Sequence, residues 1–161
     1  MKINIVMVEP EIPQNTGNLA RTCAATGAKL HLVKPLGFEI NDKYLKRAGL
    51  DYWDKLDIEE HENLNAFLER YNNVLDKMFL VSTKSKHTYS EIEYNKYDEI
   101  FLLFGKETKG LPEDILKEYL DKTIRIPMRE TLRSLNFKIE FIISLLKIIT
   151  YLLQIIKIIL T

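Results

Sequence analysis

Cysteine, glycine and proline are all scarce in this sequence. Its 161 residues include one cysteine, six glycines and five prolines. A single cysteine excludes a disulfide scaffold and a cysteine-based zinc site, and it is typical of a reducing compartment. No repeat and no long linker rich in Pro, Gly or Ser interrupts the chain, so we expect one domain over residues 1–161.

The sequence also lacks net charge and a long uninterrupted apolar run. Its 23 basic and 23 acidic residues balance, which argues against a strongly basic coat protein for nucleic acid but leaves room for a local basic patch. A membrane span needs about 20 mostly apolar residues, whereas the longest uncharged run of the apolar tail is residues 148–156. The N-terminal run is followed at once by acidic residues, unlike a signal peptide. We therefore expect a cytoplasmic protein without a membrane segment.

What the sequence does contain is an alternation of short apolar runs with helical segments. Strands are predicted at residues 3–8, 30–33, 78–83, 100–104 and 123–126. Helices are predicted at 18–26, 42–48, 62–71 and 112–120, and residues 53–58 are ambiguous. Asn15 or Thr16 is the expected cap of the first helix. The alternation predicts an α/β fold, a largely parallel sheet flanked by helices.

Residues 137–161 differ in composition from the rest of the chain. Isoleucine, leucine and lysine dominate, and polar residues recur every three or four positions. This spacing predicts a helix with a narrow polar stripe, whose wide apolar face packs on the core and on a partner subunit. An alternative is a frameshift in an A/T-rich gene, because codons for Ile, Lys, Leu and Phe dominate such readings.

The first candidate site is the loop NTGNLAR at residues 15–21, after the first predicted strand. Asn15 and Asn18 offer short polar side chains, and Arg21 lies one turn inside the following helix, where it can face the same ligand. Open α/β sheets bind ligands at the carboxyl ends of their strands. The same residues also suit an ordinary capped helix with a solvated arginine.

Two later loops follow strands in the same way. Loop 105–110, GKETKG, places Glu107 between glycines, which either allow a ligand close to the backbone or serve a turn that needs positive φ. It matches neither a P-loop nor a dinucleotide fingerprint. Residues 124–138 contain four basic residues and one acid, a cluster suited to phosphate or simply a charged surface.

No other constellation predicts chemistry. His31, His61 and His87 are far apart in sequence without metal-ligand spacing, so we expect structural or solvated histidines and no metal. Cys23 lacks the context of a catalytic nucleophile and is expected to be a small buried residue.

Taken together, the three loops resemble the motifs of the SPOUT methyltransferases, the α/β-knot class. The likeness is strongest to the small tRNA 2'-O-methyltransferases that modify the wobble nucleotide. The matching stretches are EPEIPQNTGN (9–18) with Arg21, LHLVKPLGF (30–38), GLDY (49–52), FGKETKGLP (104–112), RIPM (125–128) and RSLN (133–136). They cover residues 1–136 in the family's order. Beyond them the family has a helix with small residues and a Tyr-Glu pair, which residues 137–161 lack.

The resemblance implies a homodimer with a C-terminal trefoil knot that methylates a tRNA ribose 2'-hydroxyl, at cytidine or uridine 34. The implied cofactor is S-adenosyl-L-methionine, bound by Val81, Gly105, Ile126, Met128, Ser134, Leu135 and Asn136. The implied catalytic residues are Arg21, Asn18 and Glu107, and the implied RNA contacts are Lys109, Arg129 and Arg133. Because a guanidinium keeps its proton at neutral pH, we expect Arg21 to position the ribose rather than to act as a base.

Two other functions stay open at this point. One is a catalytically silent RNA-binding module that has kept the fold but lost cofactor affinity through its altered tail. The other is an rRNA 2'-O-methyltransferase of the same fold. The sequence lacks the extra N-terminal RNA-binding domain often joined to rRNA enzymes, so we expect a tRNA substrate.

Overall fold

The centre of the structure is a parallel sheet. A computed structural model describes residues 1–40 and 56–127 of the chain. Within them the strands are β1 (Lys2–Val8), β2 (Lys29–Val33), β3 (Ile58–His61), β4 (Met78–Val81), β5 (Glu99–Phe104) and β6 (Thr123–Ile124). Their order is β3-β2-β1-β5-β4-β6, and every pairing is parallel. The predicted α/β class with a parallel sheet flanked by helices is confirmed.

Three α-helices accompany these strands in the described residues: α1 (Pro13–Thr26), α2 (Leu64–Arg70) and α3 (Glu113–Glu118). None of them is long and apolar enough to cross a membrane. The predicted start of α1 is wrong, because Asn15 and Thr16 lie inside the helix and Ile12 precedes it without a side-chain cap. Pro13 accounts for the earlier start, since its fixed φ suits the first helical turn. The predicted end is confirmed at Gly27, which has a φ of 72°.

Helices α2 and α3 are both shorter than predicted. Asn63 caps α2, and its side-chain oxygen accepts a hydrogen bond from the Ala66 amide at 2.8 Å. Pro112 precedes α3 instead of lying within it, and a 3₁₀ turn, Leu120–Lys122, follows the helix. The predictions for residues 42–48 and 137–161 concern parts of the chain outside the described residues.

Two strands are also shorter than predicted. After β4 the Ser85 amide donates to the Ser82 carbonyl at 3.2 Å, so the chain turns out of the sheet. After β6, Arg125 forms only an isolated bridge with Thr88. Of the ambiguous stretch at 53–58, residues 56–58 are described, and β3 begins at Ile58.

The central strands are buried on both faces, as their continuous apolar runs indicate. On one face Ile5 and Met7 pack in a core that includes Leu19 and Cys23 of α1. On the opposite face Val6 and Val8 belong to a second core, which α2 and α3 cover with side chains such as Phe67 and Ile115. Each fully buried aliphatic or aromatic side chain contributes about 1.5–3 kcal/mol. The sheet is therefore a rigid platform for the loops at its carboxyl end.

Candidate functional site

The candidate site lies where the strand order reverses. From β1 the chain proceeds outward to β2 and β3, whereas β5, the other neighbour of β1, belongs to the second half of the chain. Such a switch point opens a crevice at the carboxyl ends of the two central strands. Here those ends lead into residues 9–12 and into loop 105–110. Two of the three loops that the sequence singles out are therefore adjacent.

Four side chains tie these two loops together; we call Glu11, Asn15, Glu107 and Thr108 the loop clasp. The Glu107 carboxylate accepts hydrogen bonds from the Glu11 amide at 2.8 Å and from the Asn15 side-chain amide at 3.1 Å. In return, Glu11 Oε2 accepts from the Thr108 hydroxyl at 2.6 Å and from the Thr108 amide at 3.2 Å. The bond from the Thr108 hydroxyl is the main reason why the pKa of Glu11 is lowered. Each loop thus supplies a carboxylate to donors of the other.

A third carboxylate, Glu9, is held at the same junction. Its backbone has a φ of 51°, in the left-handed region that only glycine adopts easily. Its side chain forms an ion pair with Lys106 at 2.5 Å. Strained backbone of this kind persists where surrounding contacts hold it, and it clusters at functional sites.

The loop after β2 also reaches this junction. The Gly37 amide donates to the Pro10 carbonyl at 2.9 Å. A Cβ atom at Gly37 would lie 2.8 Å from Glu11 Cα, so only glycine permits this approach. The family-like segment 30–38 therefore contacts the clasp through Gly37.

Helix α1 carries two of the three predicted polar residues, Asn18 and Arg21, away from the junction. Asn15 lies in its first turn, in the clasp. Asn18, one turn later, donates its side-chain amide to the Gln14 carbonyl at 2.8 Å. Arg21 follows three positions after Asn18 and is exposed. The structure thus places Arg21 and Asn18 as neighbours on one helix whose start is fixed by Glu107.

The two glycines of loop 105–110 have different roles. Gly110 has a φ of 71°, so it serves the turn. Gly105 has no such φ, but a Cβ atom there would lie 2.0 Å from the Gly110 carbonyl carbon and 2.1 Å from the Leu111 nitrogen. The close backbone approach expected at Gly105 is thus made by the chain's own loop, which the antiparallel bridge between Lys106 and Gly110 closes.

Three predicted cofactor residues share the carboxyl end of the sheet. Val81 ends β4, Gly105 follows β5 and Ile126 follows β6, and these strands are neighbours in the order β5-β4-β6. Ile126 is buried and Val81 packs against the core. Apart from Lys109, the other predicted cofactor and RNA-binding residues lie outside the described residues: Met128, Arg129, Arg133, Ser134, Leu135 and Asn136. Lys109 is exposed on loop 105–110.

Sequence reasoning missed a buried histidine pair. The parallel register of β2 and β3 sets His31 opposite Glu59 and Val33 opposite His61. His31 Nδ1 lies 3.0 Å from His61 Nε2, and His31 Nε2 lies 3.2 Å from Asn4 Oδ1. Because an amide oxygen only accepts, His31 carries its proton on Nε2 and accepts at Nδ1 from His61. The sequence analysis misses this pair because it leaves residues 53–58 ambiguous and predicts no strand at residues 58–61, which contain His61.

The pair belongs to a polar network that includes Glu59. One ligand atom each from His31, Glu59 and His61 would lie within 4.8 Å of the others. Glu59, however, already accepts from Lys29 Nζ at 2.8 Å and Arg70 Nε at 2.7 Å, and Tyr71 donates to it at 3.0 Å. A divalent cation would stand beside two positive charges and break the bond between the imidazoles. We therefore interpret His31 and His61 as structural.

Cys23 is fully buried, as predicted. Burial raises the pKa of its thiol to about 12. It is therefore no nucleophile at neutral pH.

In sequence, this chain is similar to proteins described as RNA methyltransferases. The family model described as the SpoU rRNA Methylase family matches residues 2–145. A protein of Yersinia pestis named tRNA (cytidine(34)-2'-O)-methyltransferase is 48% identical over 140 residues, covering 83% of this chain and 84% of that protein.

Solved structures also match over most of the chain. One, described as giving structural insights into the 2-OH methylation of C/U34 on tRNA, has a TM-score of 0.86 and 38% identity, covering 95% of this chain and 97% of that one. An AdoMet-bound rRNA methyltransferase from Sinorhizobium meliloti has a TM-score of 0.77 and 24% identity, covering 89% of this chain and 54% of the other. The second likeness is one of fold.

Proposed function

Since this chain belongs to the SpoU rRNA Methylase family, we propose that it transfers a methyl group from S-adenosylmethionine to the 2'-hydroxyl of nucleotide 34 in a tRNA. One observation carries the proposal: the parallel sheet brings the loops after β1, β5 and β6 to the same end, with two of them in contact at the switch point. The names of the Yersinia relative and of the tRNA-related structure supply the substrate and the nucleotide.

The described residues fit the cofactor in the chemistry they present. Main-chain groups of Val81, Gly105 and Ile126 stand at the ends of three neighbouring strands, and the apolar side chains of Val81 and Ile126 suit an adenine ring. We assign Met128, Ser134, Leu135 and Asn136 to the rest of this pocket on the basis of the family motif. When bound, S-adenosylmethionine supplies a methyl group activated by a sulfonium.

The chain's own contribution to the reaction is positioning. Methyl transfer requires the ribose oxygen in line with the methyl carbon, and effective alignment lowers the barrier by about 7–11 kcal/mol. Arg21 would hold the ribose and its phosphate through its charge and forked donors. Asn18 is next to Arg21 on the same helix, and Glu107 fixes the start of that helix. The hydroxyl proton passes to solvent, since a guanidinium does not accept one at neutral pH.

The proposed function also implies a domain organisation, an oligomeric state and a location in the cell. We assign residues 1–161 to one methyltransferase domain with a C-terminal trefoil knot, acting as a homodimer in the cytoplasm, where tRNA is its substrate. Two copies of a chain without net charge can combine their basic residues, and Lys109, Arg129 and Arg133 are the RNA contacts that we propose.

The proposal is tested by incubating the protein with methyl-labelled S-adenosylmethionine and either tRNA or ribosomal RNA. We expect label in tRNA alone. Label in ribosomal RNA alone would instead support the rRNA methyltransferase that the family description suggests. Calorimetry with the cofactor separates a third outcome: RNA binding without cofactor binding or transfer identifies a silent RNA-binding module.

A further inference from the structure

Three carboxylates meet where the proposed function places an anionic substrate. Glu9, Glu11 and Glu107 all lie at the junction of loops 9–12 and 105–110, and free carboxylates there would repel RNA phosphates. Each is instead bound by a donor from the chain: Glu9 by Lys106, Glu11 by Thr108, and Glu107 by Glu11 and Asn15. Because their oxygens already accept these donors, the arrangement favours a role other than direct contact with the RNA.

The geometry of the clasp is reciprocal. Glu11 offers its amide to Glu107 and its carboxylate to Thr108, so two consecutive residues of loop 105–110 hold one residue of the first loop. Charge-assisted hydrogen bonds of this kind are roughly twice as strong as neutral ones. Asn15 extends the contact into the first turn of α1. The clasp thus links the position of loop 105–110 to the start of the helix that carries Arg21.

We propose that Glu11 and Thr108 are positioning residues that set α1, and with it Arg21, relative to the strand ends that hold the cofactor. This inference rests on the proposed function, because positioning is measured through methyl transfer. Neither residue needs to touch the substrate. Thr108 is exposed and its hydroxyl donates to Glu11 at 2.6 Å, so it contributes through this one carboxylate.

The test compares Thr108→Val, which keeps the shape but removes the hydroxyl, with Thr108→Ser, which keeps the hydroxyl. Thr26→Val is the matched control, because Thr26 is an exposed threonine at the other end of α1. We expect Thr108→Val to lower kcat by about 10-fold or more with little change in the KM for S-adenosylmethionine or in Tm. Thr108→Ser and Thr26→Val should retain wild-type kcat.

A second pair of variants examines the carboxylate. Glu11→Gln keeps an acceptor oxygen for Thr108, whereas Glu11→Ala removes it, so Gln should rescue most of the kcat that Ala loses. Combining Glu11→Ala with Thr108→Val should lower kcat no further than the worse single variant, since both break one contact. Full additivity, or wild-type kcat in Thr108→Val, overturns the proposal. So does a parallel loss of Tm and cofactor binding, which indicates a general structural role.

Hydrogen exchange keeps the clasp testable apart from activity. In Thr108→Val the amides of Glu11 and of residues 106–110 should exchange faster than in the wild type and in Thr108→Ser. If the wild type transfers no methyl group but shows this pattern, the proposed function fails while the clasp stands. Unchanged exchange in Thr108→Val contradicts the clasp itself.

Discussion

At the site, an exposed arginine and hydrogen-bonded carboxylates occur on neighbouring elements. Arg21 is exposed on α1, and Glu11 and Glu107 accept hydrogen bonds across the two loops. The sequence predicts Arg21 and Glu107 through the family motif. It does not predict the partners of Glu107, because the Asn15 and Glu11 donors lie 92 and 96 positions away.

Arg21→Ala should reduce turnover about 100-fold and leave the affinity for S-adenosylmethionine nearly unchanged. The reason is that Arg21 lies on α1, while the proposed cofactor residues lie at the ends of β4, β5 and β6. Steady-state kinetics and calorimetry measure the two quantities. Arg21→Lys should also be poor, since a point charge lacks the forked donors of a guanidinium. An equal loss of cofactor binding would show that Arg21 has a structural role.

Gly105→Ala should lower the free energy of unfolding by about 1–3 kcal/mol. Its Cβ atom would lie 2.0 Å from backbone, which cannot rotate away as a side chain does. Gly110→Asn is the matched control, because nothing lies within 4 Å of a Cβ atom there and Asn tolerates the φ of 71°. Urea unfolding measures both. Equal stability of Gly105→Ala and the wild type would contradict the loop geometry.

Among the elements, strands are predicted better than helix ends. The apolar runs of β1, β2 and β5 are buried on both faces, so composition alone indicates them. The start of α1 is predicted too late because a proline such as Pro13 is equally compatible with a loop that ends a strand and with the first turn of a helix. Strand β3 has the sequence IEEH, which contains no apolar run and therefore gives no strand signal. Its Glu59 is bound by Lys29 and Arg70 instead of packing in a hydrophobic core.

The pairing of β2 with β3 predicts a loss of stability in mild acid. Burial, and then the neighbouring His61, lowers the pKa of His31 to about 3, and burial also lowers the pKa of His61. Below about pH 6.5 the unfolded chain therefore binds protons that the folded chain does not, and stability falls as the pH decreases. One such proton changes the free energy of unfolding by about 1.4 kcal/mol per pH unit.

Urea unfolding between about pH 6.5 and pH 4.5 isolates this effect. Burial alone would raise the pKa of Glu59, but the hydrogen bonds from Lys29 and Tyr71 outweigh this effect and lower the pKa to about 2. The charge of Glu59 therefore contributes to the pH dependence of stability only below pH 4.5, the ordinary pKa of a glutamate. His31→Gln should flatten the pH slope, while His87→Gln, at an exposed histidine, should keep it. A slope unchanged in His31→Gln would contradict the buried pair.

For the whole molecule, the fold class follows from the alternation of elements, but the strand order does not. Order β3-β2-β1-β5-β4-β6 depends on which apolar faces pack best across the entire sheet. That order alone makes β1 and β5 neighbours and brings Glu11 to Thr108. The sequence therefore predicts candidate loops, whereas their contacts require the assembled sheet.

The apolar tail tests the proposed dimer. Leu146→Asp and Leu153→Asp place a charge on the face opposite the polar stripe of residues 137–161. If this face covers a partner subunit, light scattering should show monomers or aggregates, since each buried leucine contributes about 1.5–3 kcal/mol. Cofactor binding should fall with the dimer. A normal dimer with normal cofactor affinity would mean that the tail is dispensable.

Mass spectrometry of tRNA nucleosides shows whether the protein methylates the ribose of nucleotide 34. The protein is incubated with S-adenosylmethionine and unmodified tRNA, and in parallel with the same tRNA carrying 2'-deoxyribose at nucleotide 34. We expect one methyl group on the ribose of nucleotide 34 in the first RNA and none in the second. A methyl group on a base, on another ribose, or on the deoxy substrate would contradict it.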